Sequence, residues 1–125
     1  MSAHNPIKVA IADDHKIYQK GIERILENYA DMQVIIKAEN GLDLLAHIKK
    51  NTPDVVLLDL RMPVMDGIST LAELKKYYPS IKVIVLTINV ERPLIFQASK
   101  LEADAYLLKT AEPELIIKAI REVTV

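Results

Sequence analysis

The sequence predicts an α/β fold in which a parallel sheet carries helices on both faces. Five short apolar segments alternate with five segments that have helical spacing, and such alternation favours right-handed crossovers between parallel strands. The middle apolar segments are almost uninterrupted, as in Val55-Val56-Leu57-Leu58, which is typical of strands buried on both faces. Five β-α units are too few for a closed eight-stranded barrel, so an open sheet is expected.

Each predicted strand is a short run of branched apolar residues. The five runs are Ile7–Ala12, Val34–Ala38, Asp54–Leu58, Lys82–Leu86 and Ala105–Leu108. Pro53 and Pro79 lie just before the third and fourth runs. They end the preceding helices, because the residue before a proline disfavours helical geometry.

The predicted helices carry apolar residues three and four positions apart, which places those residues on one helix face. They cover about His15–Tyr29, Gly41–Lys50, Gly67–Tyr78, Glu91–Leu101 and Glu112–Glu122. Pro93 and Pro113 fall in the first turns of the last two helices, where a missing N–H costs little. Asp66 is expected to cap the third helix.

The composition excludes several classes of protein. A chain of 125 residues, half of them hydrophobic, suits a single domain with a real core. It has no cysteine, which excludes disulfides and thiolate zinc sites, and its three scattered histidines disfavour a histidine metal cage. Sixteen basic and seventeen acidic residues argue against a domain that mainly grips nucleic acid. Because no apolar run or signal-peptide pattern suggests a membrane, a cytoplasmic location is expected.

Polar residues follow four of the five predicted strands. Asp13 and Asp14 follow the first strand, Asp59 the third, Thr87 the fourth and Lys109 the fifth. The carboxyl ends of parallel strands meet at one edge of the sheet, where ligands bind, so these side chains should converge. Three close carboxylates repel each other, and a hard divalent cation such as Mg²⁺ relieves that repulsion. A carboxylate there could also accept a phosphoryl group covalently.

Taken singly, each of these residues has an ordinary structural explanation. The Asp13-Asp14 pair suits a helix cap, Asp59 and Thr87 suit turns, and Lys109 suits a solvated surface. Their joint placement at four strand ends is what indicates a site.

Four segments carry a resemblance that spans essentially the whole chain. They are Ile11–His15, Val56–Gly67, Val85–Thr87 and Ala105–Lys109, and they closely resemble the receiver domain of two-component response regulators. The Asp-Asp-His start and the Tyr-Leu-Leu-Lys ending look most like the LuxR/NarL-type regulators, which carry a helix-turn-helix output domain. The resemblance implies a flavodoxin-like (CheY-like) fold, a doubly wound five-stranded parallel sheet of order 2-1-3-4-5 with five helices.

The resemblance also implies a phosphorylation site. Asp59 would accept a phosphoryl group from a sensor histidine kinase. Asp14 and Asp59, with the backbone carbonyl of Arg61, would ligate Mg²⁺, and Asp13 would act through a metal-bound water. Lys109 would pair with the phosphoryl group.

A conformational switch is implied as well. Thr87 would bond to a phosphoryl oxygen, and Tyr106 would turn inward behind it. The output surface would be built from the fourth helix, the fifth strand and the fifth helix. Such a protein is a signalling switch, here one that regulates transcription, and not a conventional enzyme, although it would lose its own phosphoryl group by hydrolysis.

The chain departs from the family pattern at three positions. Ile88 stands where relatives commonly have a small residue, and its side chain is expected either to cover the mouth of the phosphorylation pocket or to pack against the fourth helix. Glu102 replaces a common glycine, so that turn is expected to be strained or differently built. Thr110 replaces a common proline, which leaves the geometry of the Lys109–Thr110 peptide open. We expect His15 to be a solvated residue at a helix start, not a ligand.

Other classes fit the residues less well. A hydrolase of the haloacid-dehalogenase type needs an aspartate two residues after the nucleophile, and that position is Arg61. A flavodoxin-like cofactor binder needs a phosphate loop after the first strand, where Asp13 and Asp14 would repel a phosphate. A degenerate receiver that only binds proteins is disfavoured because all five site residues are present.

The expected organisation is a single receiver domain over residues 1–125. The sequence leaves open whether it stands alone or belongs to a longer regulator with a DNA-binding output domain. The expected partners are a sensor histidine kinase and a second copy in a homodimer. DNA would be bound only through an output domain, and no membrane contact is expected.

Overall fold

A computed structural model describes residues 5–88 and 92–125. The elements in chain order are β1 (Ile7–Ala12), α1 (Lys16–Glu27), β2 (Met32–Ala38), α2 (Gly41–Ile48), β3 (Val55–Asp59), α3 (Gly67–Tyr77), β4 (Lys82–Thr87), α4 (Arg92–Lys100), β5 (Ala105–Leu108) and α5 (Pro113–Val123). All five predicted strands and all five predicted helices are present. None of the helices in the described part of the chain is long and apolar enough to cross a membrane.

The strands form one parallel sheet of order β2-β1-β3-β4-β5, which confirms the expected topology. Ala12 pairs with Leu58, and Asp59 pairs with Leu86. The carboxyl ends of β1, β3 and β4 are therefore level, and the residues that follow them meet at one edge of the sheet.

The core consists of two clusters, one on each face of the sheet. Alternate residues of β3 point to opposite faces: Leu58 packs in the cluster that includes α2 and α3, whereas Leu57 packs in the cluster that includes α1 and α5. Both residues are fully buried. Burial on both faces explains why the β3 sequence is apolar without alternation.

The loop between β3 and α3 is held close to the end of β3. The side chain of Asp66 accepts a hydrogen bond from Ser69 N at 2.8 Å and caps α3, as predicted. Gly67 N donates to Leu60 O at 2.9 Å. A Cβ on Gly67 would clash with the carbonyl oxygen of Asp59, so only glycine permits this approach.

Several element ends differ from the sequence prediction. His15 has extended dihedral angles (φ −85°, ψ 96°), so α1 begins one residue later than predicted; it also ends before Tyr29. α2 ends at Ile48, two residues before the predicted end at Lys50. β3 and β4 each extend one residue further, to Asp59 and Thr87, while β2 begins two residues earlier, at Met32. The predicted start of the fourth helix, Glu91, lies outside the described residues.

Backbone geometry describes two of the positions at which the chain departs from the family pattern, Glu102 and Thr110. Glu102 has a positive φ of 64°, which is uncommon for a non-glycine residue; of the two alternatives expected for this turn, the structure shows the strained one. No cis peptide bond occurs among the described residues, so the Lys109–Thr110 peptide is trans. Val64 has a positive φ of 66° as well, in the loop between β3 and α3.

Candidate functional site

The ends of β1, β3 and β5 bring three of the predicted charged residues into contact. Lys109 Nζ lies 2.6 Å from Asp13 Oδ2 and 3.3 Å from Asp59 Oδ2. All three side chains are less than a tenth exposed. The predicted convergence of strand-end residues is therefore found for Asp13, Asp59 and Lys109, which form an ion-pair cluster that the sequence did not indicate.

The backbone after β1 is tied firmly to β2. Asp13 N donates to Ala38 O at 2.9 Å, continuing the β1–β2 ladder. The buried amide of Gln19 then donates to both Asp13 O (3.2 Å) and Ala38 O (3.0 Å). These bonds fix the position from which the Asp13 carboxylate enters the site.

Asp59 is a buried carboxyl group in a mixed electrostatic environment. Its side chain is 6% exposed. Burial is the largest cause that raises the pKa of Asp59, and the neighbouring Asp13 carboxylate raises it further. The shift is opposed by Lys109 and by the Arg61 N–H, which donates to Asp59 Oδ1 at 3.2 Å. The net direction is upward, so this carboxyl group holds a proton more readily than an ordinary aspartate.

Lys109 also lies over an aromatic ring that no sequence pattern indicated. Its Nζ lies 4.8 Å from the centroid of the Tyr18 ring, a cation–π distance. Burial raises the pKa of Tyr18 to about 12, with Asp13 and Asp59 contributing, so the phenol stays neutral. The Tyr18 hydroxyl is buried and has no hydrogen-bond partner among the described residues. In the sequence Tyr18 is indistinguishable from other residues of the buried α1 face.

His15 lies closer to the site than its sequence context suggested. It is the N-cap residue of α1, and its side chain is 52% exposed, as expected for a residue at a helix start. Its Nδ1 nevertheless lies 3.1 Å from Asp13 Oδ1, 3.6 Å from Asp14 Oδ1 and 3.8 Å from Asp59 Oδ2. The Asp-Asp-His run was the only available signal, and it does not reveal where the ring points.

The acidic cluster fits a divalent cation. One ligand atom from each of Asp13, Asp14, His15 and Asp59 can be chosen so that all lie within 4.8 Å of one another. Asp14 Oδ1 is a buried atom without a hydrogen-bond partner among the described residues, whereas Asp13 Oδ2 is paired with the Lys109 ammonium at 2.6 Å. Carboxylate oxygens such as that of Asp14 are the ligands that Mg²⁺ takes.

A cavity of about 380 Å³ opens beside this cluster. Asp14 and Arg61 line one part of it, and Leu94 of α4 lines another. The cavity reaches one carboxylate of the cluster, so a small ligand has a route to Asp14 between the β3–α3 loop and α4.

The predicted switch residues lie on the β4–β5 side of the site. Thr87 ends β4 and is buried, and its carbonyl accepts a hydrogen bond from Lys109 N at 2.7 Å. Tyr106 is 36% exposed on β5, paired with Val85. Ile88 follows Thr87 and is 57% exposed, so its side chain is mostly at the surface.

Comparisons with known proteins agree with this fold. The family model described as "Response regulator receiver domain" matches residues 9–121. The transcriptional regulatory protein DegU of Brevibacillus brevis is 33% identical over 95% of this chain and 50% of its own length. The response regulator protein VraR of Staphylococcus saprophyticus is 36% identical over 94% of this chain and 56% of its own length. The chain thus spans about half the length of these relatives.

Solved structures give the same result. A DNA-binding response regulator of the LuxR family from Staphylococcus aureus superposes with a TM-score of 0.90 and 30% identity, covering 95% of this chain and 99% of that one. The signal receiver domain of the response regulator NarL from Mycobacterium tuberculosis also gives a TM-score of 0.90, with 32% identity over 96% and 97% of the two chains. This chain therefore belongs to the family of response regulator receiver domains.

Proposed function

We propose that this chain is a phosphorylation-controlled switch in which Asp59 accepts a phosphoryl group from a sensor histidine kinase. The observation that carries the proposal is the environment of Asp59, a carboxylate that is almost fully buried yet lies 3.3 Å from the Lys109 ammonium. Structural carboxylates are seldom buried beside two other acidic groups, because the like charges repel. Such electrostatic repulsion is typical of sites where the carboxylate takes part in a reaction.

The cation would be Mg²⁺. Asp14, Asp59 and the backbone carbonyl of Arg61 would hold it, and Asp13 would contact it through a water molecule. When bound, Mg²⁺ would supply positive charge to the phosphoryl oxygens and offset the repulsion among the carboxylates. The buried Asp14 oxygen, which has no hydrogen-bond partner among the described residues, supports this assignment.

The phosphoryl transfer itself needs an ionised nucleophile. An oxygen of Asp59 attacks phosphorus while the bond from phosphorus to the kinase histidine nitrogen breaks, and the electron pair of that bond returns to the imidazole. Lys109 is suited to pair with the transferred group, since its ammonium is a compact charge next to Asp59. Its contact with Tyr18 keeps that ammonium near the nucleophile.

The switch would follow from the new charge on Asp59. A phosphoryl group brings a charge near −2 and three acceptor oxygens. The Thr87 hydroxyl would donate to one of these oxygens, and the partly exposed Tyr106 would turn inward into the space left behind. That change would shift an existing equilibrium between two conformations of the surface formed by α4, β5 and α5.

The output follows from the relatives. Several are named as transcriptional regulators or DNA-binding response regulators. We propose on this basis that the switch controls transcription in the cytoplasm through an output domain, which contacts the DNA. We also propose that the protein forms homodimers. Residues 1–125 would form the single receiver domain, whether alone or within a longer regulator.

Mass spectrometry of the intact protein tests the proposal. Wild type should gain one phosphoryl group from acetyl phosphate with Mg²⁺ and little in EDTA, and Asp59→Asn should gain none. Asp54→Asn is a matched control because Asp54 lies directly before the same strand, at its opposite end; it should be phosphorylated like wild type. Full phosphorylation of Asp59→Asn would overturn the proposal.

A further inference from the structure

The Nδ1 atom of the half-exposed His15 ring lies within 3.8 Å of all three carboxylates of the acidic cluster. Besides these three carboxylate neighbours, Nδ1 lies 3.1 Å from Lys109 Nζ. We propose that His15 is a nitrogen ligand of the bound cation and shifts the metal preference of the site from Mg²⁺ towards transition metals such as Ni²⁺. This assignment rests on the proposed cation site and adds a residue to it.

The backbone holds His15 in this position. Its N–H donates to Asp13 Oδ1 at 2.8 Å, and its extended dihedral angles place it at the turn that leads into α1. The same carboxylate oxygen lies 3.1 Å from Nδ1. The backbone hydrogen bond therefore keeps residue 15 beside the Asp13 side chain, with Nδ1 of the imidazole close to the other carboxylates.

The spacing of the donor atoms suits one cation. Donors on opposite sides of an octahedral Mg²⁺ are about 4.2 Å apart, and imidazole nitrogen binds transition metals at a similar distance of about 2.0–2.1 Å. The four donor atoms, with His15 included, lie within 4.8 Å of one another. A small contraction brings the donors to coordination distance.

The charge of the cluster leaves room for a neutral ligand. Three carboxylates and the Lys109 ammonium sum to −2, which one divalent cation balances. In the tautomer that carries its proton on Nε2, the lone pair of Nδ1 accepts from Lys109 Nζ at 3.1 Å, since an ammonium can only donate. That lone pair is the one a metal would take; the contact with Asp13 instead uses the tautomer that carries a proton on Nδ1.

Imidazole changes metal preference in a known direction. Mg²⁺ selects oxygen ligands, whereas Ni²⁺, Zn²⁺ and Cu²⁺ bind imidazole nitrogen well. The alternative is that His15 is only a positive counter-ion for the carboxylates. In that case it would compete with every divalent cation equally, so its loss would strengthen the binding of all of them.

Two measurements on the purified chain separate these cases. The variant is His15→Ser, because serine keeps the N-cap chemistry. The matched control is His47→Ser, since His47 is a similarly exposed histidine of α2 whose Nδ1 contacts Asp43 O at 2.8 Å. Calorimetry gives the Ni²⁺ and Mg²⁺ affinities, and electron spin echo spectroscopy with Mn²⁺ detects a directly bound nitrogen.

We expect nitrogen modulation of the Mn²⁺ signal in wild type and His47→Ser but not in His15→Ser. Loss of outer partners alone lowers metal affinity about 10–100-fold, so Ni²⁺ affinity should fall at least about tenfold in His15→Ser while Mg²⁺ affinity changes much less. Unchanged nitrogen modulation, or equal changes for both metals, would overturn the assignment.

The variant Asp14→Ala distinguishes a failure of the His15 assignment from a failure of the proposed cation site. If Asp14→Ala binds Mg²⁺ as wild type does, the proposed cation site itself is wrong. If Asp14→Ala loses Mg²⁺ while His15→Ser keeps the nitrogen signal, the cation site stands and only the role of His15 is overturned.

Discussion

Replacing Asp59 by asparagine should stabilise the metal-free protein. At an effective dielectric constant near 20, each repulsion of Asp59 by Asp13 or Asp14 within 4.8 Å costs at least about 3.5 kcal/mol. The Lys109 ammonium at 3.3 Å returns about 5 kcal/mol. Solvent screens Asp14, which is 35% exposed, so removing the Asp59 charge should raise the free energy of unfolding by about 1–2 kcal/mol.

The gain should depend on pH. The folded-state pKa of Asp59 lies above its unfolded value, so its carboxyl group favours folding fully below the unfolded pKa. That contribution is lost as the pH rises through the folded pKa. The advantage of Asp59→Asn should therefore grow over this window and then stay constant.

Mg²⁺ should remove the advantage. A cation at about 100 times its dissociation constant adds about 2.7 kcal/mol to wild type, and less to a variant that has lost one ligand. Urea unfolding followed by circular dichroism, in EDTA and in Mg²⁺, measures both effects; Glu27→Gln, an exposed carboxylate of α1, is the control. If Asp59→Asn is less stable than wild type in EDTA at neutral pH, the electrostatic reasoning is wrong.

Three further predictions concern single side chains. Gly67→Ala should destabilise the fold by more than about 2 kcal/mol in urea unfolding, because its Cβ would meet backbone atoms. Gly21→Ala lies in the middle of α1, with open space around its Cβ in the described structure, and should stabilise the fold by about 0.5–1 kcal/mol. Stability changes of the same sign in both variants would refute this prediction. Thr87→Ala should remain phosphorylatable, yet chemical shifts of α4 and β5 should respond less to beryllium fluoride; a full response would contradict the proposed switch. Ile88→Ala should speed both phosphorylation by acetyl phosphate and loss of the phosphoryl group, up to about tenfold for a barrier change of about 1.4 kcal/mol, and unchanged time courses would make Ile88 an ordinary surface residue.

The sheet and the convergence of its strand-end residues could be predicted because both depend on strand order. Uninterrupted apolar runs marked the buried strands, and strand ends in a parallel sheet must meet. Asp13, Asp59 and Lys109 therefore came together as expected. Residue type and position along the chain were sufficient for these contacts.

The remaining features depend on side-chain direction and on local backbone geometry. No pattern shows that the His15 ring points towards the carboxylates or that Tyr18 lies under Lys109, since both directions follow from the packing of α1. The positive φ of Val64 was not anticipated either, because a β-branched residue disfavours that conformation. Tertiary contacts decide such details.

The two hydrogen bonds of the Gln19 amide have a consequence for the direction in which a signal can travel. They join the last carbonyl groups at the β1 and β2 ends, so the Asp13 side of the site shares the rigidity of two paired strands. A displacement caused by new charge on Asp59 would meet high resistance there. The motion would be transmitted towards β4 and β5 instead, and a partner that reads the state of the domain would have to bind on that side.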